Sequence, residues 1–224
     1  MFLNKTNKYK QVSYSQSGED RIIKHLLDGL EIRNFTYLDI GAHHPFYINN
    51  TALFYENGIR GINIEPDPVL FKEFTKHRKQ DINLNIGIAE TPGEFDFYVI
   101  SVPTLNTFSK AEAETYQLQG NYTIQDVIKV KADTIENVVK THCNSKFPEF
   151  LTIDAEGIDE LILKSIDFKN NAPLVVCIET ITFSTKGRGV KNMEIISLME
   201  SNGYLNFADT NINTIFVKRD VWER

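Results

Sequence analysis

Short apolar runs alternate with amphipathic segments along most of the chain. Five runs are typical of buried strands because they are short, rich in branched aliphatic and aromatic residues, and closed by glycine, proline or acidic residues. They cover residues 37–40, 61–65, 82–88, 150–154 and 173–179. Segments with helical spacing of apolar residues follow most of them, at 51–57, 69–77, 134–140, 158–165 and 193–201.

The middle and the two ends of the chain do not follow this alternation of strands and helices. Residues 94–100 alternate like a strand and 127–131 read as extended, and we interpret 102–126 as an insertion that crosses the active-site face. The last two runs, 204–207 and 214–217, flank a short polar connection and predict a hairpin. Residues 1–13 are interpreted as a polar segment that precedes the first element. The whole chain 1–224 is interpreted as one domain.

Strands that alternate with helices predict an α/β fold with a mostly parallel, doubly wound sheet covered on both faces. The terminal hairpin adds one antiparallel strand. In such sheets, ligands bind beyond the carboxyl ends of the strands, near the point where the strand order reverses. The residues that follow each strand are therefore the candidates for function.

The charge balance narrows the class of protein. The 224 residues include 24 Lys and Arg against 30 Asp and Glu, a net charge of −6, which argues against a nucleic-acid partner. Cys143 and Cys177 are too few for a disulfide scaffold, and Cys177 lies in an apolar run typical of a core. No apolar window has the length of a membrane span or a signal peptide, so we expect a cytoplasmic protein. A homo-oligomer is left open.

The loop after the first strand carries the first functional signal. Gly41 allows a tight turn there, and Glu65 ends the next strand 24 residues later, close to the offset of a carboxylate that binds ribose hydroxyls. A dinucleotide fingerprint needs further glycines for the pyrophosphate, and here His43 and Pro45 intervene. S-adenosylmethionine has no phosphate, so the pattern favours it over NAD. The alternative is that Gly41 is only a turn and Glu65 a solvated strand end.

Four motifs occur together and in order. They are Ser15-Gln-Ser-Gly-Glu-Asp20, Tyr37-Leu-Asp-Ile-Gly-Ala42, Asn63-Ile-Glu-Pro66 and Leu151-Thr-Ile-Asp-Ala-Glu-Gly157. From about residue 15 to residue 179 the chain resembles the FkbM-type methyltransferase family. The resemblance implies a class I, Rossmann-like methyltransferase fold with seven strands, one of them antiparallel, and S-adenosylmethionine as the cofactor.

The same resemblance implies the cofactor contacts. Asp39, Gly41 and Glu65 match the family motifs, and Gln16 is a further candidate because the opening motif can fold over the cofactor. An alternative for that motif is a helix N-terminal cap, since Ser17 is followed by Asp20 at cap spacing.

Two acids are candidates for the chemistry. Asp154 and Glu179 end successive apolar strands, which places their carboxylates roughly 5 Å apart if the strands are neighbours. Such a pair suits Mg²⁺ or Mn²⁺. The alternative is that Asp154 binds the substrate directly and Glu179 meets an amide or a lysine. His43 or His44 is a candidate base that would remove a proton from the hydroxyl group that accepts the methyl group. The alternative is that both histidines only shape the loop.

Other acids and two flanking segments complete the prediction. Glu156 and Asp159 open the helix after Asp154, and we interpret them mainly as structural. Residues 104–109, with Asn106, and 183–191, with Arg188, are expected to contact the acceptor, the second through the phosphates of a nucleotide-linked sugar.

The leading hypothesis is an O-methyltransferase that acts on a sugar hydroxyl, on a nucleotide-linked or polysaccharide-precursor sugar of bacterial surface glycan (capsule) biosynthesis. Residues 43–45, 50–51 and 105–109 resemble the branch of the family associated with those polysaccharides. The alternatives are a nucleotide-dependent oxidoreductase and a non-catalytic cofactor-binding module.

Overall fold

A computed structural model describes residues 9–119, 121–183 and 189–224. Its strands are β1 Tyr37–Ile40, β2 Ile62–Ile64, β3 Ile82–Leu84, β4 Gly87–Ile88, β5 Gly93–Ile100, β6 Ile124–Asp133, β7 Phe150–Ile153, β8 Val175–Glu179, β9 Tyr204–Asp209 and β10 Asn213–Lys218. Its helices are α1 Glu19–Gly29, α2 Ala52–Glu56, α3 Pro68–His77, α4 Lys110–Leu118, α5 Ile135–His142, α6 Asp159–Lys164, α7 Met193–Ser201 and α8 Arg219–Trp222, with a 3-10 helix at Pro103–Leu105.

Seven strands form the main sheet, in the order β3-β2-β1-β7-β8-β10-β9. β10 is antiparallel to both of its neighbours, whereas the pairs among β3, β2, β1, β7 and β8 are parallel. This confirms the predicted doubly wound α/β sheet with one antiparallel strand. The strand order reverses between β1 and β7, so a ligand is expected beyond the carboxyl ends of those two strands.

The two faces of the sheet pack into separate apolar clusters. Leu38 and Ile40 of β1 join one cluster with residues of α5, α6 and α7, while Tyr37 joins the other with residues of α1 and α2. Because both faces are covered, every residue of β1 and β7 is buried. That burial explains why these strands read as short, mostly apolar runs. Cys177 is fully buried in the second cluster, in agreement with a core role.

The predicted strand 82–88 is wrong as a single element. The chain leaves the main sheet at Asn85, whose side-chain amide donates to the carbonyls of Glu65 (2.8 Å) and Pro66 (3.0 Å). The continuation, β4, pairs with β6 in a second sheet of order β4-β6-β5. The segment 102–126 contains the 3-10 helix and α4, which pack around a small apolar cluster that includes Leu105 and Tyr116.

Within the described residues, no helix is both long enough and apolar enough to cross a bilayer.

Candidate active site

A cavity of about 300 Å³ lies beyond the carboxyl ends of β1, β2, β7 and β8. Gly41 and Glu65 line one part of it, and Asp154 and Glu179 line another part. Since β2 and β8 stand three positions apart in the sheet, Glu65 and Glu179 face the cavity from different sides. Residues 103–108 of the insertion and the side chain of Gln16 also contribute to the wall.

Glu65 is buried, and its carboxylate organises the β2 end of the cavity. One carboxylate oxygen accepts a hydrogen bond from the backbone N–H of His43 (2.7 Å), and the other accepts one from that of Asp67 (2.8 Å). Burial raises the pKa of Glu65 to about 8, against the opposing effect of these two hydrogen bonds. The side chain is therefore a strand-end carboxylate at the cavity wall, and the alternative of a solvated strand end is wrong.

The raised pKa of Glu65 makes the stability of the ligand-free protein depend on pH. Because the folded pKa lies above that of the unfolded chain, folding is favoured below about pH 4 and loses this contribution as the pH rises toward about 8. We expect the Glu65→Gln variant to lose less stability than the wild type between pH 5 and pH 8, by on the order of 2 kcal/mol. Chemical denaturation across this range measures the difference, and parallel curves would contradict it.

Gly41 lies where two parallel strands end close together. Its φ is +75°, and a Cβ atom built on it would lie 1.8 Å from the carbonyl oxygen of Asp154. The backbone around it is tied to both neighbours, because the Gly41 N–H donates to Ile64 and the Asp154 N–H donates to Ile40. A glycine is therefore required both for the turn and for the close approach of the β7 loop.

Replacing Gly41 by alanine is expected to destabilise the fold strongly. The matched control is Gly58→Ala, because Gly58 also has a positive φ of +88° but has open space around its Cβ position. The control isolates the backbone strain, which costs about 1–2 kcal/mol. The Gly41→Ala variant adds the clash with Asp154, and we expect it to lose at least about 2 kcal/mol more. Equal losses in thermal unfolding would show that the close approach relaxes freely.

Asp39 does not line the cavity, although it is a predicted cofactor contact. Its carboxylate is buried beneath the segment 41–51, which we call the β1–α2 loop, and accepts hydrogen bonds from Thr51 Oγ1 (2.7 Å) and Asn49 Nδ2 (3.2 Å). Burial raises the pKa of Asp39 to about 6. Asn49 Nδ2 also donates to the carbonyl of Ala42 (3.0 Å), so Asp39 supports the loop from below.

Of the two candidate histidines, His43 lines the cavity and His44 does not. His43 has a left-handed backbone (φ +54°), and burial lowers the pKa of its imidazole. His44 turns away from the cavity: its Nδ1 accepts a hydrogen bond from the Phe46 N–H (3.2 Å), and its ring packs against Tyr47. Burial lowers its pKa as well. Of the two imidazoles, only that of His43 is therefore placed at the cavity.

Three carboxylates converge where β7 and β8 end. The register aligns Ile153 with Ile178, which sets Asp154 beside Glu179, and Glu156 joins them so that one carboxylate oxygen of each lies within 4.8 Å of the others. This agrees with the spacing predicted for Asp154 and Glu179. Within the described part of the chain, no lysine or arginine forms an ion pair with any of the three. We call Asp154, Glu156 and Glu179 the acidic cluster.

Burial is the main cause of the electrostatics of the acidic cluster, and mutual repulsion adds to it. Burial raises the pKa of Asp154 to about 7 and that of Glu179 to about 10. The pKa of Glu156 is also raised well above its ordinary value, first by burial and then by the charge of Asp154. An arrangement of this kind is costly unless protons or a cation neutralise the charge.

The interpretation of Glu156 as a helix-opening residue is wrong. The helix α6 begins later, at Asp159, and Glu156 has a left-handed φ of +46° followed by Gly157 at +95°. Asp159 fixes this turn by accepting hydrogen bonds from the N–H groups of Ala155 (2.9 Å) and Gly157 (3.2 Å). The turn directs the carboxylate of Glu156 back toward β7, which an ideal helix start would not do.

Two hydroxyl groups from the insertion hold Glu156 in this position. Thr107 Oγ1 donates to its backbone carbonyl (2.6 Å), and the Tyr116 hydroxyl donates to its carboxylate (3.0 Å). The sequence predicts neither contact with Glu156, because threonine and tyrosine in a polar insertion have no distinctive spacing. Thr107 lies in the segment 104–109 that was expected to contact the acceptor. The motif Asp-x-Glu-Gly does contain one indication for Glu156. Its glycine permits the turn that brings the Glu156 side chain back toward Asp154.

Asn106 lines the cavity, but its side-chain amide is already engaged. Its Nδ2 donates to Asp67 Oδ2 (2.8 Å), and its Oδ1 accepts from the Ile100 N–H (2.8 Å). Asn106 therefore fastens the insertion to the turn after Glu65. Arg188 lies outside the described residues, whereas Phe183, at the start of the other predicted acceptor segment, lines the cavity and packs against Tyr116.

The opening motif places Gln16 at the cavity and does not form the alternative helix cap. The N-cap of α1 is Gly18, without a side-chain hydrogen bond. Asp20 instead accepts hydrogen bonds from residues upstream, Ser13 Oγ (2.7 Å), the Tyr14 N–H (2.7 Å) and Ser15 Oγ (3.1 Å). The buried acid thus fixes the segment that carries Gln16, which is itself exposed at the cavity rim.

Comparison with known proteins identifies a family. The family model of the methyltransferase FkbM domain matches residues 39–205, which is most of the chain and includes Glu65, Asp154 and Glu179. No curated protein sequence matches significantly.

Solved structures of low sequence identity align over most of the chain. A TehB-like SAM-dependent methyltransferase from Corynebacterium glutamicum has 13% identity and a TM-score of 0.45, with 96% of this chain and 92% of that chain covered. The 1,6-didemethyltoxoflavin-N1-methyltransferase of Burkholderia thailandensis, with S-adenosylhomocysteine bound, has 12% identity and a TM-score of 0.42, with 90% and 77% covered. A precorrin-6y C5,15-methyltransferase from Geobacter metallireducens has 12% identity and a TM-score of 0.39, with 89% and 78% covered.

The family match adds what the geometry alone leaves open. A doubly wound sheet with its cavity at the β1/β7 switch point suits several nucleotide-like ligands. The matched domain selects among them, and it also confirms the resemblance that the four sequence motifs carry. The chain belongs to the FkbM methyltransferase family, with the Rossmann-like fold of S-adenosylmethionine-dependent methyltransferases.

Proposed function

We propose that the protein transfers a methyl group from S-adenosylmethionine to a sugar hydroxyl, on a nucleotide-linked or polysaccharide-precursor sugar of bacterial surface glycan (capsule) biosynthesis in the cytoplasm. The acidic cluster is the observation that carries this proposal. A sugar hydroxyl is a weak nucleophile at neutral pH, so its proton must be removed or its pKa lowered during transfer. Three carboxylates at the cavity wall offer the means to do so.

The β2 side of the cavity suits the cofactor. Each oxygen of the Glu65 carboxylate accepts one backbone N–H and retains a second lone pair for a ribose hydroxyl. Gly41 keeps the floor of the cavity free of a side chain. Gln16 stands at the rim with its amide available to the methionine end of the cofactor. This assignment leaves the acidic cluster facing the acceptor.

The donor set of the acidic cluster fits a hard divalent cation. Mg²⁺ and Mn²⁺ prefer carboxylate oxygens, and Mg²⁺ usually keeps several water molecules that an acceptor hydroxyl can replace. Asp154, Glu156 and Glu179 would hold such an ion, with Glu156 as the ligand that sequence reasoning did not include. When bound, the ion would acidify an acceptor hydroxyl.

The remaining residues orient the acceptor and handle its proton. Phe183 and residues 103–108 of the insertion line the cavity beside the acidic cluster and shield the acidic cluster from water. Asp154 is the first candidate to receive the hydroxyl proton, and the imidazole of His43 is the second because it also reaches the cavity. Positioning the hydroxyl in line with the sulfonium methyl group supplies much of the remaining catalysis.

The test is methyl transfer to a panel of nucleotide-activated and free sugars, measured with Mg²⁺, with Mn²⁺ and with EDTA. The proposal expects transfer to at least one sugar, loss of activity with EDTA and recovery when the metal is restored. Full activity in the metal-stripped enzyme would contradict the metal and leave Asp154 or His43 as a metal-free base. Cofactor binding without transfer to any sugar would contradict the acceptor class.

A further inference from the structure

A fully buried cation lies beneath the β1–α2 loop, outside the cavity. Arg78 follows the last residue of α3 and has 0% of its surface exposed. Its Nε and Nη2 bind the carboxylate of Asp81 (2.9 and 2.8 Å), and Nη2 also donates to the hydroxyl of Tyr37 (2.6 Å). These contacts fix the guanidinium to the sheet, since Tyr37 belongs to β1.

The remaining guanidinium nitrogen reaches the loop. Nη1 of Arg78 donates to Asn49 Oδ1 (3.1 Å) and to Thr51 Oγ1 (3.0 Å). The same Asn49 binds the carbonyl of Ala42 and the carboxylate of Asp39, and the same Thr51 hydroxyl donates to Asp39. Arg78 and Asp39 therefore hold the two ends of the loop through one shared pair of residues.

The loop depends on outside support for its shape. His43 and Ile48 both have left-handed backbones, with φ of +54° and +49°, and both line the cavity. Such backbones are strained for residues other than glycine, so the loop would relax if nothing held it. The N–H of His43 must also stay in place to bind the Glu65 carboxylate. Burying a charged arginine costs free energy even when it is paired, so stability alone does not explain why Arg78 is buried here. Anchoring the loop gives it a role.

We propose that Arg78 is a positioning residue for cofactor binding, which holds the β1–α2 loop in its binding shape through Asn49 and Thr51. Asp39 supports the same two residues and does not touch the cofactor. The inference rests on the proposed placement of S-adenosylmethionine against this loop. It goes beyond the motif residues, because Arg78 belongs to none of them.

The test compares Arg78→Lys and Thr51→Val with Tyr204→Phe, each titrated calorimetrically with S-adenosylhomocysteine at a temperature well below unfolding. Tyr204 is also fully buried, and its hydroxyl donates to the Pro173 carbonyl away from the loop, so its variant controls for lost stability. We expect both loop-anchor variants to weaken binding at least tenfold, whereas Tyr204→Phe binds within twofold of the wild type. The double variant Arg78→Lys/Thr51→Val should lose less than the two single losses combined, because both act on one network.

Hydrogen exchange supplies a readout that general destabilisation does not move. In the anchor variants, residues 42–51 should lose protection while residues 150–153 of β7 keep theirs. Binding within twofold of the wild type in both variants, or an equal loss in Tyr204→Phe, would overturn the proposal. If Arg78→Lys does not fold, Thr51→Val decides, since it leaves the Arg78–Asp81 ion pair intact. A wild-type protein that does not bind S-adenosylhomocysteine would overturn the proposed function, and this inference with it.

Discussion

Replacing Asp154 by asparagine is expected to reduce methyl transfer at saturating cofactor by a factor of at least about 100 while the protein remains folded. Asparagine has nearly the same shape, so the apolar strand β7 and its register are unaffected. What it removes is one carboxylate of the acidic cluster, which in the proposed function either holds a cation or accepts the hydroxyl proton. Turnover with a responsive sugar acceptor, followed by mass spectrometry, measures the loss.

Glu160→Gln is the matched control for Asp154→Asn. Glu160 lies a few residues further along, in the first turn of α6, but its carboxylate pairs with Lys164 and is not part of the acidic cluster. This variant should keep wild-type turnover. Substantial activity in Asp154→Asn, or an equal loss in Glu160→Gln, would remove Asp154 from the chemistry.

Replacing Glu65 by alanine is expected to weaken the binding of S-adenosylhomocysteine by about 1.5–3 kcal/mol, which is roughly a tenfold to 150-fold rise in Kd. The variant would lose the proposed hydrogen bonds to the ribose, and it also frees the N–H groups of His43 and Asp67 that the carboxylate binds. Calorimetric titration measures the change directly.

The control for Glu65→Ala is Glu73→Ala. Glu73 lies nearby on α3, but its carboxylate reaches toward the exposed side chains of Lys76 and His77. Its removal should leave the affinity unchanged, because surface ion pairs of this kind contribute little. An unchanged affinity in folded Glu65→Ala would place the ribose elsewhere.

The sheet was predictable from sequence because strands that are buried on both faces consist mainly of apolar residues. β1, β7 and β8 read as short, mostly apolar runs. Gly41 follows the first of them, and Asp154 and Glu179 mark the carboxyl ends of the other two. The closeness of Asp154 and Glu179 follows from strand adjacency alone, and the register of β7 and β8 confirms it.

What the sequence could not predict depends on contacts between distant segments. The split of residues 82–88 arises because Asn85 binds the carbonyls that follow β2, and no local pattern encodes that partner. Asn106 looks available for a substrate in sequence but is bound to Asp67. No motif or spacing in the sequence distinguishes Arg78, yet it is fully buried.

The residues of the candidate site divide in the same way. Glu65 and Gly41, which line the cavity, could be predicted because their distance from the first strand reflects a general geometry of cofactor loops. Glu156 was missed because its role depends on a left-handed turn held by Asp159 and by Thr107 of the insertion. When contacts with distant segments orient a side chain, no periodic pattern in the sequence reveals where that side chain points.

If a sugar hydroxyl is the acceptor, the transferred methyl group must end on an oxygen atom, and identifying that atom tests the proposed function. The enzyme would be given S-adenosylmethionine labelled with ¹³C in its methyl group, together with a sugar acceptor and Mg²⁺, and the product would be examined by NMR. We expect the labelled methyl group to be bonded to an oxygen atom that was a hydroxyl oxygen of the sugar. A label bonded to nitrogen or carbon would contradict it.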